Sequence, residues 1–303
     1  MNRIATKLPE GHRQAHRRPP IWLPLALLTL GSAAAVAQTY TAIDCPESSG
    51  TAARDINERG DIVGNCEDAN GSHGFLLRKG VFTLIDPPDA GAFVIATNDI
   101  NNRGEVVGRY QDSEGVAHGF LLRHGRFTTI DVPGAPDTFP LGIDERGRIV
   151  GLYEGSDEVF RGFILDSRGF QDIEFPDAFA TGAWGINAST QIVGGYIDTS
   201  GVVHGFLLRK GTFSSIDFPG AVGTRAFGIN PRGHIVGGWS GDPDCGDCFV
   251  NAFLLTPRGF TNLAFPDAFE TAAYGINNAG QIVGHYFGED EAFHGFLREP
   301  KDQ

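Results

Sequence analysis

Beyond its first forty residues, this 303-residue chain has no apolar run long enough to cross a membrane as a helix, and no segment whose apolar residues recur with helical period. That excludes a helical bundle and a multi-span helical membrane protein. Positive charge is in deficit: 24 Lys and Arg face 37 Asp and Glu, a net charge of −13. A surface of that sign repels phosphate backbones and anionic lipid, so neither nucleic acid nor a membrane surface is expected as a partner. No Gly-x-Ser-x-Gly, no His-Glu-x-x-His and no twelve-residue EF-hand series occurs. The sequence therefore names no serine hydrolase, zinc protease or calcium loop.

What is present begins with a leader. Arg3, Lys7, Arg13, Arg17 and Arg18 precede an apolar stretch at 21–30 and an Ala35-Val36-Ala37 end. This order of charged, apolar and small residues is that of a secretory signal peptide, expected to be cut before Gln38. Residues 1–37 carry five basic residues and one acid (net +4), so residues 38–303 have a net charge of −13 − 4 = −17. The expected location is outside the cytoplasm, periplasmic or extracellular. Export favours disulfides among Cys45, Cys66, Cys245 and Cys248. Three pairings exist. The favoured one joins Cys245 to Cys248 within a loop and Cys45 to Cys66 across the chain closure.

The rest of the chain is repetition. A phrase Gly-Ile-Asn-x-x-Gly-x-Ile-Val-Gly-x-Tyr places its first Ile at 56, 100, 143, 186, 229 and 276. His-Gly-Phe-Leu-Leu-Arg places Phe at 75, 120, 163, 206, 253 and 296, and Phe-Thr-x-Ile-Asp-x-Pro starts at Phe82, Phe127, Phe170, Phe213 and Phe260. The sixth copy of the third phrase, 40–46, stands ahead of the first repeat. Each repeat reads as four short strands, A to D, parted by Asn-x-x-Gly and Lys-Gly turns. Four antiparallel strands per period of about 43 residues is the blade pattern of a propeller. The expected fold is thus all-β: a six-bladed β-propeller of four-stranded antiparallel blades, closed by an N-terminal strand that completes the last blade. These repeats resemble the HAF-repeat family of bacterial extracellular proteins over roughly residues 40–300. The tripeptide is His-Gly-Phe at His73, His118, His204 and His294, Arg161-Gly-Phe in the third repeat and Asn251-Ala-Phe in the fifth. The resemblance implies export and a repeat fold, and carries no established activity.

Positions shared by all repeats are expected to build the scaffold. The Asn or Asp after each Ile forms a turn. The four His lie on strand C, roughly 15 Å from the axis given strand spacings of about 4.8 Å, too far apart to share one ion. They are expected to stabilise their own blades. Strand A lines the centre, so its varying positions are the candidate site. Two residues before the repeat Ile stand Arg54, Asn98, Leu141, Trp184, Phe227 and Tyr274. The next position is Gly in four blades but Asp55 and Asp99 in the first two. Aromatic faces beside polar groups suit a sugar or other amphipathic ligand, so Trp184, Phe227, Tyr274, Arg54 and Asn98 are the expected ligand contacts. The competing expectation for these aromatics is packing between blades. Asp55 and Asp99 are the candidate metal ligands, with Ca²⁺ the ion they would suit. Three functions compete: a secreted module binding a carbohydrate or an extracellular protein, a central-channel hydrolase or lactonase dependent on Ca²⁺, and a structural surface protein. The longer B-to-C and D-to-A loops share one face of the disc, which is the expected interaction surface.

Overall fold

Each repeat alternates β-branched or aromatic residues with glycine between turn signals, so strands of four to eight residues form where that pattern places them. The computed structural model describes residues 39–87, 91–242 and 249–300. The leader, Cys245 and Cys248 lie outside the described residues. Twenty-four strands make six four-stranded antiparallel sheets. The first five blades run consecutively, 50–85, 93–130, 137–173, 180–216 and 223–263. The sixth comprises β22 (Glu270–Ile276), β23 (Ile282–Phe287), β24 (Phe293–Arg298) and β1 (Tyr40–Ile43). Tyr40 pairs with Arg298 and Ile43 with Gly295, so the strand that precedes the repeats finishes the last blade, as expected.

Strand A of each blade is innermost. These strands are β2 (Gly50–Ile56), β6 (Phe93–Ile100), β10 (Asp137–Ile143), β14 (Ala180–Ile186), β18 (Gly223–Ile229) and β22. Each touches the next, and β22 meets β2, which closes a ring of six about one axis. The repeat Phe of strand C is completely buried in every blade, worth about 2 kcal/mol each. Opposite it in strand B stands a glycine, because a Cβ at Gly64 would lie 2.8 Å from the Phe75 ring, and the other blades repeat this fit.

Hydrogen bonds tie blade to blade. The turn Asn uses Oδ1 as expected: that of Asn57 accepts from the backbone N–H of Arg59 and of Asp61. Its Nδ2 does something the spacing does not announce and donates to the carbonyl of the equivalent residue one blade on. Asn57 donates to Asn101 (3.3 Å), Asn101 to Asp144 (3.1 Å), Asn187 to Asn230 (3.0 Å), Asn230 to Asn277 (3.0 Å), and Asn277 back to Asn57 (3.2 Å). The gap falls after Asp144, whose side chain has no N–H to give. There Arg148 binds Asp144 at 2.6 Å and crosses to Thr190 Oγ1, also at 2.6 Å. A second set of bonds uses Thr51, Thr138, Thr181, Thr224 and Thr271, whose hydroxyls accept a backbone N–H from the end of the preceding blade.

The repeat His residues are intrablade clamps, as expected. His73 Nδ1 lies 2.8 Å from Asp86 at the end of strand D, and Nε2 lies 3.3 Å from Asp68 in the B-to-C turn. His118, His204 and His294 repeat the arrangement, and Arg161 substitutes in blade three between Asp157 and Glu174. The turn carboxylate of each clamp is the partner that the sequence pattern left unassigned. Cys45 and Cys66 are buried in one cluster, their thiols in hydrogen-bond contact and not bridged. Cys45 follows the closing strand and Cys66 belongs to blade one, so the pair sits where the ring closes.

Candidate functional site

Strand A runs to its Ile and turns there, so one face of the disc carries the six Asn turns and the other carries the D-to-A and B-to-C connections. The two ends of the axis therefore differ in chemistry.

At the turn-face end, neighbouring A strands approach so closely that glycine is the usual fit: a Cβ at Gly185 would lie 2.6 Å from the Phe227 carbonyl. Asp55 and Asp99 break this rule by taking up backbone N–H groups of the next blade. Asp55 Oδ2 accepts from Ile100 at 3.2 Å and Asp99 Oδ2 from Ile143 at 2.8 Å. The two carboxyls also bond to each other. Loss of hydration inside the narrow channel pushes both above the usual carboxylate range, and the adjacent charge of Asp55 pushes Asp99 further. The axial cavity here is about 100 Å³. Among the described residues, no group of three His, Cys, Asp or Glu is placed to hold a metal ion. Asn98 lines this cavity, and its Nδ2 is spent on the Pro140 carbonyl at 2.8 Å. Arg54, Trp184, Phe227 and Tyr274 reach the same axial cavity, so all five expected ligand contacts line it.

At the loop-face end, the remaining four come together. The Trp184 and Phe227 ring centroids are 5.3 Å apart and those of Phe227 and Tyr274 are 5.2 Å apart. The Arg54 guanidinium lies 4.4 Å above the Tyr274 ring. Blades four, five, six and one thus supply one continuous arc. Three further residues complete it that sequence reasoning missed. Phe249, from the B-to-C connection of blade five, sits 6.3 Å from Phe227, and Arg225 lies 4.8 Å over Phe249 and 5.3 Å from Trp184. Glu270 adds a carboxylate. Arg225 and Glu270 could have been flagged as departures from the repeat at strand A. Phe249 follows the irregular insertion, and nothing local marked it as axial. Together these residues line a cavity of about 300 Å³. His285 stands behind the arc, 3.5 Å from Glu270 and 5.4 Å from the Tyr274 ring. Burial holds its pKa below the usual histidine value, so it is neutral near pH 7.

The same face carries exposed apolar side chains on its connections. Phe179 and Phe269, in two Pro-Asp-Ala-Phe turns, are 64% and 71% exposed. Both lie on the face that carries the variable loops. No described helix is long and apolar enough to cross a membrane.

No protein-family model and no curated protein matches the chain. Solved structures do match in shape. AofleA from Arthrobotrys oligospora is 12% identical, with 88% of each chain covered and a TM-score of 0.53. The Aleuria aurantia lectin in complex with Fucα1-6GlcNAc is 11% identical, covering 83% of this chain and 93% of that one, with a TM-score of 0.51. A further structure of that lectin, described as a six-bladed β-propeller with a novel fucose recognition mode, aligns over the same shares with a TM-score of 0.50. At such identities the likeness is one of fold, and the fold they share with this chain is the six-bladed β-propeller.

Proposed function

We propose that this chain is a carbohydrate-binding propeller whose site is the loop-face mouth of the axis. The observation that carries the reading is the arc of Trp184, Phe227 and Tyr274, three aromatic side chains from successive blades around one cavity, with Arg54 at its end. Aromatic faces stack against the C–H faces of a sugar ring, while Arg and Glu groups bind its hydroxyls. That the Aleuria aurantia lectin, a propeller of similar shape, was solved with α-methyl-L-fucoside supports the reading. A central-channel hydrolase would have to work through Asp55 and Asp99, whose oxygens already hold the backbones of blades two and three.

The test is capture of the purified protein on a panel of immobilised polysaccharides, beside a variant carrying Trp184→Ala, Phe227→Ala and Tyr274→Ala. Circular dichroism checks that the variant is folded. Capture should fall more than about tenfold, since each lost aromatic contact is worth about 1 kcal/mol. Undiminished capture by a folded variant would sink the reading. If wild type binds no polysaccharide, the exposed Phe179 and Phe269 make a protein partner on the same face the next reading. Export belongs to the same proposal, as does oxidation of Cys45 with Cys66 and Cys245 with Cys248. An intact mass that starts at Met1, or that does not change on reduction of the secreted protein, would refute one or the other.

A further inference from the structure

On the loop face, the joint between neighbouring blades is framed by a pair of positions. One is on strand B of the first blade and the other on strand A of the next. Between blades two and three, Arg109 lies 4.1 Å over the ring of Phe139. Between blades four and five, the space at Gly195 is taken by Arg225, whose Nε would lie 3.1 Å from an added Cβ. Between blades five and six, Phe249 covers Gly238. Between blades three and four the pair is Leu152 and Gly182, and it leaves the joint open. The result is a cavity of about 390 Å³ walled by Phe139, Leu152, Phe160, Trp184 and Tyr196. Its only charged lining group is Arg225.

This joint is not separate from the axial mouth. Trp184 and Arg225 line both cavities. A ligand resting on the arc can therefore send a substituent past Trp184 into the joint. Gly182 sits at a strand position with no positive φ, so the backbone does not require glycine there. Its effect is to leave room.

We propose that the joint between blades three and four is a second subsite, and that it takes an apolar substituent (an alkyl, acyl or aryl group) carried by the glycan bound at the mouth. This deepens the carbohydrate reading and rests on it for the polar half of the ligand. The joint itself sets specificity: transfer of each methylene from water to an apolar cavity raises affinity by about three- to fourfold. A plain sugar gains nothing from it.

The experiment is calorimetric titration of the full chain with n-alkyl β-D-glucosides from methyl to hexyl. The expected result is a Kd that falls about threefold or more for each added methylene. Gly182→Leu fills the joint. Its added Cβ meets the Leu152 Cδ2 tip at 3.0 Å, a flexible end that can move aside, and Trp184 Nε1 at 3.4 Å, an ordinary van der Waals contact. In that variant the Kd should no longer depend on chain length, while polysaccharide capture by the arc persists. Phe160→Asp, at a rim position 40% exposed, gives a second variant that tests the same point at the cost of one edge-on contact with Phe139. It should weaken hexyl glucoside at least tenfold and leave capture unchanged. Absence of hexyl glucoside binding to wild type overturns the subsite, as does a chain-length dependence that survives both variants. The carbohydrate reading fails separately, through capture that survives loss of the arc.

Discussion

The two ends of the axis are built from the same six strands and obey opposite rules. On the turn face, five nearly identical Asn turns bond blade to blade with Nδ2–carbonyl distances of 3.0–3.3 Å, and the one departure, Asp144, is compensated on the spot by Arg148. On the loop face, equivalent positions hold Ala52, Phe139, Gly182, Arg225 and Ala272, and the joints they make are all different. Six-fold identity serves closure, since every blade must meet its neighbour at the same angle. A ligand without six-fold symmetry needs the opposite, and the arc exists because only blades four to six present an aromatic there. The comparison teaches that in a ring of copies the scaffold is found where the copies agree and the site where they disagree.

The sharpest way to break that comparison is at its compensated defect. Arg148→Gln should cost about 3 kcal/mol in urea denaturation, because it leaves the buried Asp144 carboxylate without its cation. Asp144→Asn alone should also destabilise, stranding Arg148. The double variant copies the Asn187–Gln191 pair of the next blade and should recover most of the loss. If the two losses simply add, Arg148 does not compensate for Asp144.

A smaller effect comes from the other symmetry-breaking pair. The Asp99 carboxyl has a folded pKa above its unfolded value, first through lost hydration and then through Asp55, with Glu145 adding to the negative field around Asp55. The folded state therefore binds the extra proton, and stability falls as pH rises from about 4 through the folded value. Asp99→Asn keeps an acceptor for the Ile143 N–H and removes the proton. It should flatten that fall and raise stability at pH 8. An unchanged slope of melting temperature against pH would show that the pair does not titrate in this range.

The smallest effect belongs to the clamps. His73 has its pKa raised, mainly by its hydrogen bond to Asp86, so its contribution is complete below about 6.5 and is lost as pH rises through the folded value. His73→Gln should cost less than about 1 kcal/mol at pH 6 and nothing measurable at pH 9, since the pair is partly solvated. Blade five, with Asn251 and Ala264 in place of the His–Asp pair, shows that a blade can close without the clamp.

Fold and axis were legible because they depend on period and on local turn chemistry. The displaced copy at 40–46 disclosed the closure, and the strand A variation disclosed Trp184, Phe227, Tyr274 and Arg54. What escaped depends on contacts between repeats. Thr51 and its four counterparts recur at one position and could have been noticed, but their N–H partners lie in the preceding blade. Asn98 reads as a free amide in one dimension and is spent on Pro140 in three. The open joint at Gly182 was invisible because a missing side chain leaves a cavity only if its opposite number is also too small to fill it.

The closing strand has a consequence in time. Its partner strand lies 250 residues further on, as the His294–Asp44 contact measures. A chain emerging from the ribosome therefore makes first the strand that it pairs last. Until residues 293–298 appear, β24 is missing, the sixth blade has no partner for β1, and both ends of the array present open strand edges. Completion of the ring thus waits for β24, and a chain stopped before residue 293 would hold five good blades and no closed disc.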